Sequence, residues 1–179
     1  MSSPTESANT MPVPLQDNAS GALLAKVLGY LDELDWRYSV KNLEEERHWR
    51  VTMRVVAQVV LCRTIFDIDD IRQRFGVVAY APFLVPEDRR EAVMLYLTRA
   101  NYRLYLAKFE FDFSDGEIST VCNVIHEDAD VSVQMIGRMR AAVHAAMRDF
   151  MPGVLAIIHG HGSADQAWAD LQAQGGEAA

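Results

Sequence analysis

Tyr105–Ile125 reads YLAKFEFDFSDGEISTVCNVI, and this stretch decides the fold. Tyr105, Ala107, Phe109, Phe111 and Phe113 alternate with Leu106, Lys108, Glu110 and Asp112, the period of two that a half-buried strand requires. Asp115–Gly116 follows, and Glu117–Ile125 resumes a strand-like run. A two-residue Asp-Gly turn between alternating segments is the strongest short hairpin signal, because both residues tolerate positive φ. Such a turn predicts Phe113 opposite Ile118, Phe111 opposite Thr120, Phe109 opposite Cys122 and Ala107 opposite Val124, all facing the core. The other face then pairs Asp112 with Ser119, Glu110 with Val121, Lys108 with Asn123 and Leu106 with Ile125.

That second face carries Leu104, Leu106, Val121 and Ile125, more apolar than a sheet face turned to water. Something must cover it, either another part of the chain or a partner. These four residues are the candidate partner or dimer face.

Upstream of the hairpin, Pro86 with Glu87 and Asp88 predicts a helix start, with acids at the positive end of the dipole. Ala92, Val93, Tyr96, Leu97 and Ala100 give this helix one apolar face, and it ends near Asn101. Arg50–Phe66 is crowded with β-branched residues and reads as strand, split near Ala57–Gln58 because seventeen residues is long for one strand. Short strands at Tyr38–Val40 and Phe75–Ala81 flank it, with Asn42–His48 and Asp67–Gln73 as polar connections. A first helix runs from a Ser20 cap to about Asp35, with Leu24, Val27, Leu28, Leu31 and Leu34 at helical spacing.

Downstream, Met135, Ile136, Met139, Val143, Met147 and Phe150 stripe a long helix starting near Ser132. Pro152 should kink or restart it, and a last helix, Ala164–Gln172, is capped by Ser163 with Gln166 three residues later. The order is helix, three strands, helix, two strands, helix. Helices grouped on one face of an antiparallel sheet define an α+β two-layer sandwich. Residues 1–19, rich in Ser, Thr, Pro and Asn, read as a disordered tail, 20–171 as a single domain, and 172–179 as a flexible end.

Charge narrows the function. The 179 residues carry net charge −8, and six of those negative charges lie in 1–19 and 149–179, leaving a nearly neutral body. A nucleic-acid partner is not expected without a basic stripe. The absence of a signal segment or membrane-length apolar run, together with only two cysteines, predicts a cytoplasmic protein that does not engage membranes. Cys122, inward by the register, and Cys62, in an apolar run, are expected to be inert buried thiols.

No catalytic constellation emerges, so no enzyme activity, cofactor or metal is expected. His159 and His161 flank Gly160 without the further convergent ligands a metal needs. The acidic clusters Asp67, Asp69, Asp70 and Glu127, Asp128, Asp130 lack the loop spacing of a calcium site. The alternative is a small-molecule binder or small enzyme with a pocket between helices and sheet, using His126 or His144.

Ala100–Asn101–Tyr102, Phe109–Glu110–Phe111–Asp112 and Asp115–Gly116–Glu117 together resemble the signature hairpin of the YbjN family, whose members are labelled bacterial sensory transduction regulators. Val85–Pro86–Glu87 with Arg89–Arg90 is similar to the start of that family's middle helix, and Met151–Gly160 (MPGVLAIIHG) to its C-terminal helix motif. The likeness covers about 75–171, although the family has Gly where Ala107 stands. The resemblance implies a fold like the type III secretion chaperones. It also implies a non-catalytic regulatory or chaperone-like protein that binds a protein or peptide partner, often as a homodimer, with no catalytic residues to carry over.

Overall fold

The computed structural model describes residues 21–44, 47–127 and 129–176, so the tail predicted at 1–19 and the end of the chain at 177–179 lie outside them. Helix α1 (Ala22–Glu33) leads into a four-strand meander, β1 (Tyr38–Glu44), β2 (His48–Ala57), β3 (Val60–Asp69) and β4 (Arg74–Leu84). A short 3-10 turn (Glu87–Arg89) precedes α2 (Arg90–Arg103), followed by the hairpin β5 (Lys108–Phe111) and β6 (Glu117–Ile125). Helices α3 (Val133–Ile158) and α4 (Ala164–Gly176) complete the chain. The six strands form one antiparallel sheet in the order β1-β2-β3-β4-β6-β5.

The predicted two-layer α+β class therefore holds, and the first run has four strands, one for each segment read as strand there, where the order as a whole allowed only three. Asn42–Glu44, expected in a loop, continue β1 along β2, where an edge strand accepts polar residues on its open side. The split of Arg50–Phe66 falls where expected: Gln58 and Val59 connect β2 to β3, and Gln58 takes the left-handed conformation (φ 53) without help from glycine.

One core lies between the sheet and the helices. Trp49, Val51 and Met53 of β2, Cys62, Phe66 and Ile68 of β3, Phe75, Val77 and Ala79 of β4, and Phe109, Ile118 and Cys122 of the hairpin all face it. Helix α3 supplies Ile136, Met139, Val143, Met147, Phe150 and Met151 to the same cluster, and α1 and α2 add Leu24, Val27, Leu31, Val93, Tyr96 and Leu97. Among the described residues α3 is also long and apolar enough to cross a bilayer by length and composition, but ten of its side chains are buried in this core. Burial of that many large apolar groups is the main stabilising term of the fold, at about 1.5–3 kcal/mol each before entropy is charged against it.

Several local expectations need correction. The first helix is capped by Gly21 (φ 100) rather than Ser20, which lies outside the described residues, and the Gly21 N–H donates to the Asp70 carboxylate instead. Helix α3 runs unbroken through Pro152, which removes one internal hydrogen bond from a helix already fixed by its buried face. Helix α4 extends to Gly176, into the segment read as a flexible end, and Ser163 Oγ caps it by accepting from the Gln166 N–H at 3.2 Å.

The hairpin register is two residues off the prediction. Phe111 faces Ile118, Phe109 faces Thr120 and Lys108 faces Val121, so Phe113 leaves the core and is half exposed. The cause is the turn. Asp112 and Glu117 close a four-residue loop in which the Gly116 N–H donates to the Asp112 carbonyl and the Ser114 N–H to the Asp112 carboxylate. Gly116 takes φ 87 inside that loop, and its carbonyl accepts from the Val85 N–H. A slip of two preserves which face each side chain takes, so the core alternation survives the error.

Candidate functional site

With every described helix packed on one side of the sheet, the outer face is the surface the fold leaves open. Cross-strand register places its side chains in rows. The middle row runs Lys108, Val121, Val78, Ile65, Thr52 and Ser39, from β5 to β1. On one side lies the row Glu110, Ser119, Tyr80, Arg63 and Arg54, and beyond it the pair Leu61 and Val56. On the other lie Asn123, Gly76, Asp67, Arg50 and Lys41, then Ile125, Arg74, Asp69 and His48.

Ile65 and Val121 are buried although neither belongs to the core cluster beneath the helices. They form a short apolar spine flanked by charge. Among its described side chains Lys41, Arg50, Arg54, Arg63, Arg74 and Lys108 outnumber Asp67, Asp69, Glu110 and Glu117, so this face leans positive on a chain of net charge −8.

The charges are unevenly paired. At one end, Asp67 accepts from Arg50 Nε at 2.8 Å and lies 3.2 Å from His48 Nε2. Asp69 is almost fully buried. Burial alone would raise its pKa, but hydrogen bonds from the Arg74 side chain and from the Arg72 backbone and side chain outweigh that and hold the carboxyl well below the usual range. At the other end, Arg54 and Arg63 sit directly opposite each other, and no carboxylate of the described residues pairs with either. The Arg63 guanidinium lies 4.3 Å from the centre of the Tyr80 ring, a cation–π contact.

One depression opens at this surface and another at the edge of the sheet. One, about 390 Å³, is lined by Asp67, Arg74, Phe75, Gly76, Asn123, Val124 and Ile125. The other, about 540 Å³, lies at the end of the β1–β2 pair between Asp35–Tyr38 and Met53–Val56. Its walls, Trp36, Tyr38, Met53 and Val55, belong to the core-facing side of the sheet, with Arg37 and Arg54 at its margin, and Trp36 is itself held by the Arg140 guanidinium of α3, 4.9 Å from the ring.

The four residues predicted to share a contact face are only partly brought together. Val121 and Ile125 do lie on the outer face, but Val121 is buried at its middle, whereas Ile125 is exposed at the end of β6. Leu106 is exposed in the connection just before β5, outside the β5–β6 ladder, whose first pair is Lys108 with Val121, and so is not paired with Ile125. Leu104 does not belong to the face. It caps α2 through its N–H to the Ala100 carbonyl, and its half-buried side chain packs on the core. The arginines and Tyr80 were missed because no turn signal sets the register across β2, β3 and β4. The β-branched run at Arg50–Phe66 held the clue, since Arg50, Arg54 and Arg63 all interrupt it.

His144 sits inside the layer interface, 9% exposed, with Nε2 2.8 Å from Thr64 Oγ1 and Nδ1 without a hydrogen-bond partner. Burial first, and the Arg140 charge second, push its pKa down to about 4. His126 lies after β6, its backbone N–H bonded to the Gln73 carbonyl, far along the chain and the sheet from His144. Burial raises both cysteine thiols, Cys62 to about 11, and both lie in the core. The His159 and His161 rings lie 6.4 Å apart where α3 ends. Among the described residues, no three His, Cys, Asp or Glu side chains converge in a way that could hold a metal ion.

The residues that carry the family resemblance do mechanical work elsewhere. Asn101 pairs with the open edge of β5, its Oδ1 accepting from the Phe109 N–H and its Nδ2 donating to the Phe109 carbonyl. Arg90 clamps the hairpin loop by donating to the Val85, Phe113 and Ser114 carbonyls. Gly153 admits the Tyr96 phenol against α3, where any Cβ would collide with it.

Fold and face together define, among the described residues, an α+β sandwich with one mixed-charge sheet surface that no helix covers. Among solved structures the chain is similar to the crystal structure of YbjN from E. coli, described as a candidate transcription regulator, with TM-score 0.48 and 13% identity, covering 70% of this chain and 89% of that one. No family model matches the chain, and no curated protein matches it.

Proposed function

We propose that the chain is a non-catalytic, YbjN-like regulatory or chaperone-like module that binds a protein or peptide partner across the outer face of its sheet. The observation that carries this is the face itself, a six-stranded surface without a described helix on it, with an apolar spine and exposed Ile125, Leu61 and Val56. Exposed apolar area of this kind is costly to keep unless it is used. Leu106 and Ile125 remain contact candidates, Val121 supports them from within the face, and Leu104 drops out. A second copy of the chain is among the partners the family resemblance implies.

The test is affinity capture from the native cell with the full chain as bait. Ile125→Asp and Leu61→Asp should each reduce recovery of the captured partner at least tenfold while leaving Tm within a few degrees, because neither residue is in the core. Leu95→Asp, an exposed position on α2, should leave recovery unchanged. Loss with the α2 variant and retention with both sheet variants would place the interface on the helical layer. Sedimentation velocity on the same proteins separates a second copy from an unlike partner.

A further inference from the structure

The corner of the outer face built by Arg54 and Arg63 has an electrostatic arrangement that the fold alone does not explain. Like charges directly opposite on an antiparallel pair destabilise it. The same face shows that the chain compensates such charge elsewhere, since Arg50 and Arg74 each hold a carboxylate at 2.8–2.9 Å. Arg54 and Arg63 have none among the described residues. Two residues further along the same strands, Val56 (69% exposed) faces Leu61 (48% exposed), an apolar pair beside the arginine pair.

We propose that this corner docks an acidic segment of a partner protein, with its apolar side chains lying on Val56 and Leu61 while its carboxylates accept from Arg54 and Arg63. The inference rests on the outer face being the docking surface and adds the chemistry of what docks there. A partner carboxylate beside two directly paired arginines offsets their like charge and accepts charge-assisted hydrogen bonds from them, which turns an unfavourable pair into a specific one. Nucleic acid fits less well. The arginine corner is small, Asp67, Asp69 and Glu110 are interleaved on the same face, and the adjoining surface is apolar rather than a basic track along which a phosphate backbone could run.

Fluorescence anisotropy on the full chain tests this with three labelled probes: a twelve-residue peptide of alternating Glu and Leu, its twin with Gln for Glu, and a twelve-nucleotide single-stranded DNA. The Glu peptide should bind at least tenfold tighter than the Gln twin and than the DNA, and weaken as salt rises from 50 to about 300 mM. Arg54→Glu and Arg63→Glu should each lose at least tenfold, Arg54→Lys should stay within about threefold, and Arg148→Glu on the exposed side of α3 should bind as wild type. Equal binding of the two peptides, absence of binding by either, or tighter binding of the DNA overturns the proposal. So does insensitivity to the two charge reversals. If Ile125→Asp and Leu61→Asp abolish partner capture while Arg54→Glu and Arg63→Glu do not, the docking face stands and the acidic partner falls. If all four leave capture unchanged, the docking face itself is wrong.

Discussion

Tyr96 is fully buried, stacked edge-on against Phe150 and Trp168, and its hydroxyl ends against Gly153 with no hydrogen-bond partner. A buried hydroxyl without a partner forfeits its hydration for nothing, so Tyr96→Phe should leave stability unchanged or raise it by about 1 kcal/mol, measured by denaturant unfolding. Gly153→Ala should cost about 1–3 kcal/mol despite the better helix propensity of alanine, because the added methyl has no room beside the ring. His144 sets a second expectation. An unfolded histidine titrates near 6.5 and His144 in the fold near 4, so as pH falls the unfolded chain takes up the proton first. Its contribution is therefore full above about pH 6.5 and drains away between there and about pH 4. His144→Gln should flatten the decline of the unfolding midpoint across that window; a variant that declines as steeply as wild type would assign the slope to other groups. Neither effect was legible in the sequence. The methionine-rich stripe of α3 placed its buried face correctly, but the identity of what each side chain meets depends on the partner layer.

The hairpin shows at the element scale what pattern can and cannot fix. Alternation over Lys108–Phe111 and Glu117–Ile125 assigned the inward and outward faces correctly, because a period of two is a property of the strand alone, whereas Phe113, read as inward, falls in the loop. Register is a property of the turn, and Asp115–Gly116 turned out to be the end of a four-residue loop rather than the whole connection. What the two-residue rule could not see is that Asp112 and Asp115 both spend their carboxylates on loop N–H groups, from Ser114 and Glu117. The same limit hid the arginine corner, whose neighbours are three strands rather than one. Gly116→Ala should cost about 2 kcal/mol or more in chemical denaturation, since it combines φ 87 with a clash against the Val85 backbone. Gly29→Ala, with open space around the added methyl in α1, is the control and should be neutral or stabilising.

For the molecule as a whole, charge and layering act together. The composition predicted a nearly neutral body, and the fold sorts that body into a helical layer and a sheet face whose described side chains lean positive. Stability should be graded across the sheet in the same sense. Native-state hydrogen exchange is expected to be slowest in β3, β4 and β6, each paired on both sides, and faster in β1 at the open edge. Protection in β1 equal to that in β3 would mean that its edge is occupied in solution. The strand order has a further consequence for how the chain assembles. Every ladder joins consecutive strands except β4–β6, and between Leu84 and Glu117 that ladder must close a loop holding α2 and β5. The entropy of bringing distant parts of the chain together is thus concentrated on one seam. The meander before it and the hairpin after it are local structures that can form on their own timescales. Substitutions along β4 and β6 should then be felt in the folding rate, and those at β1 mainly in the rate of unfolding.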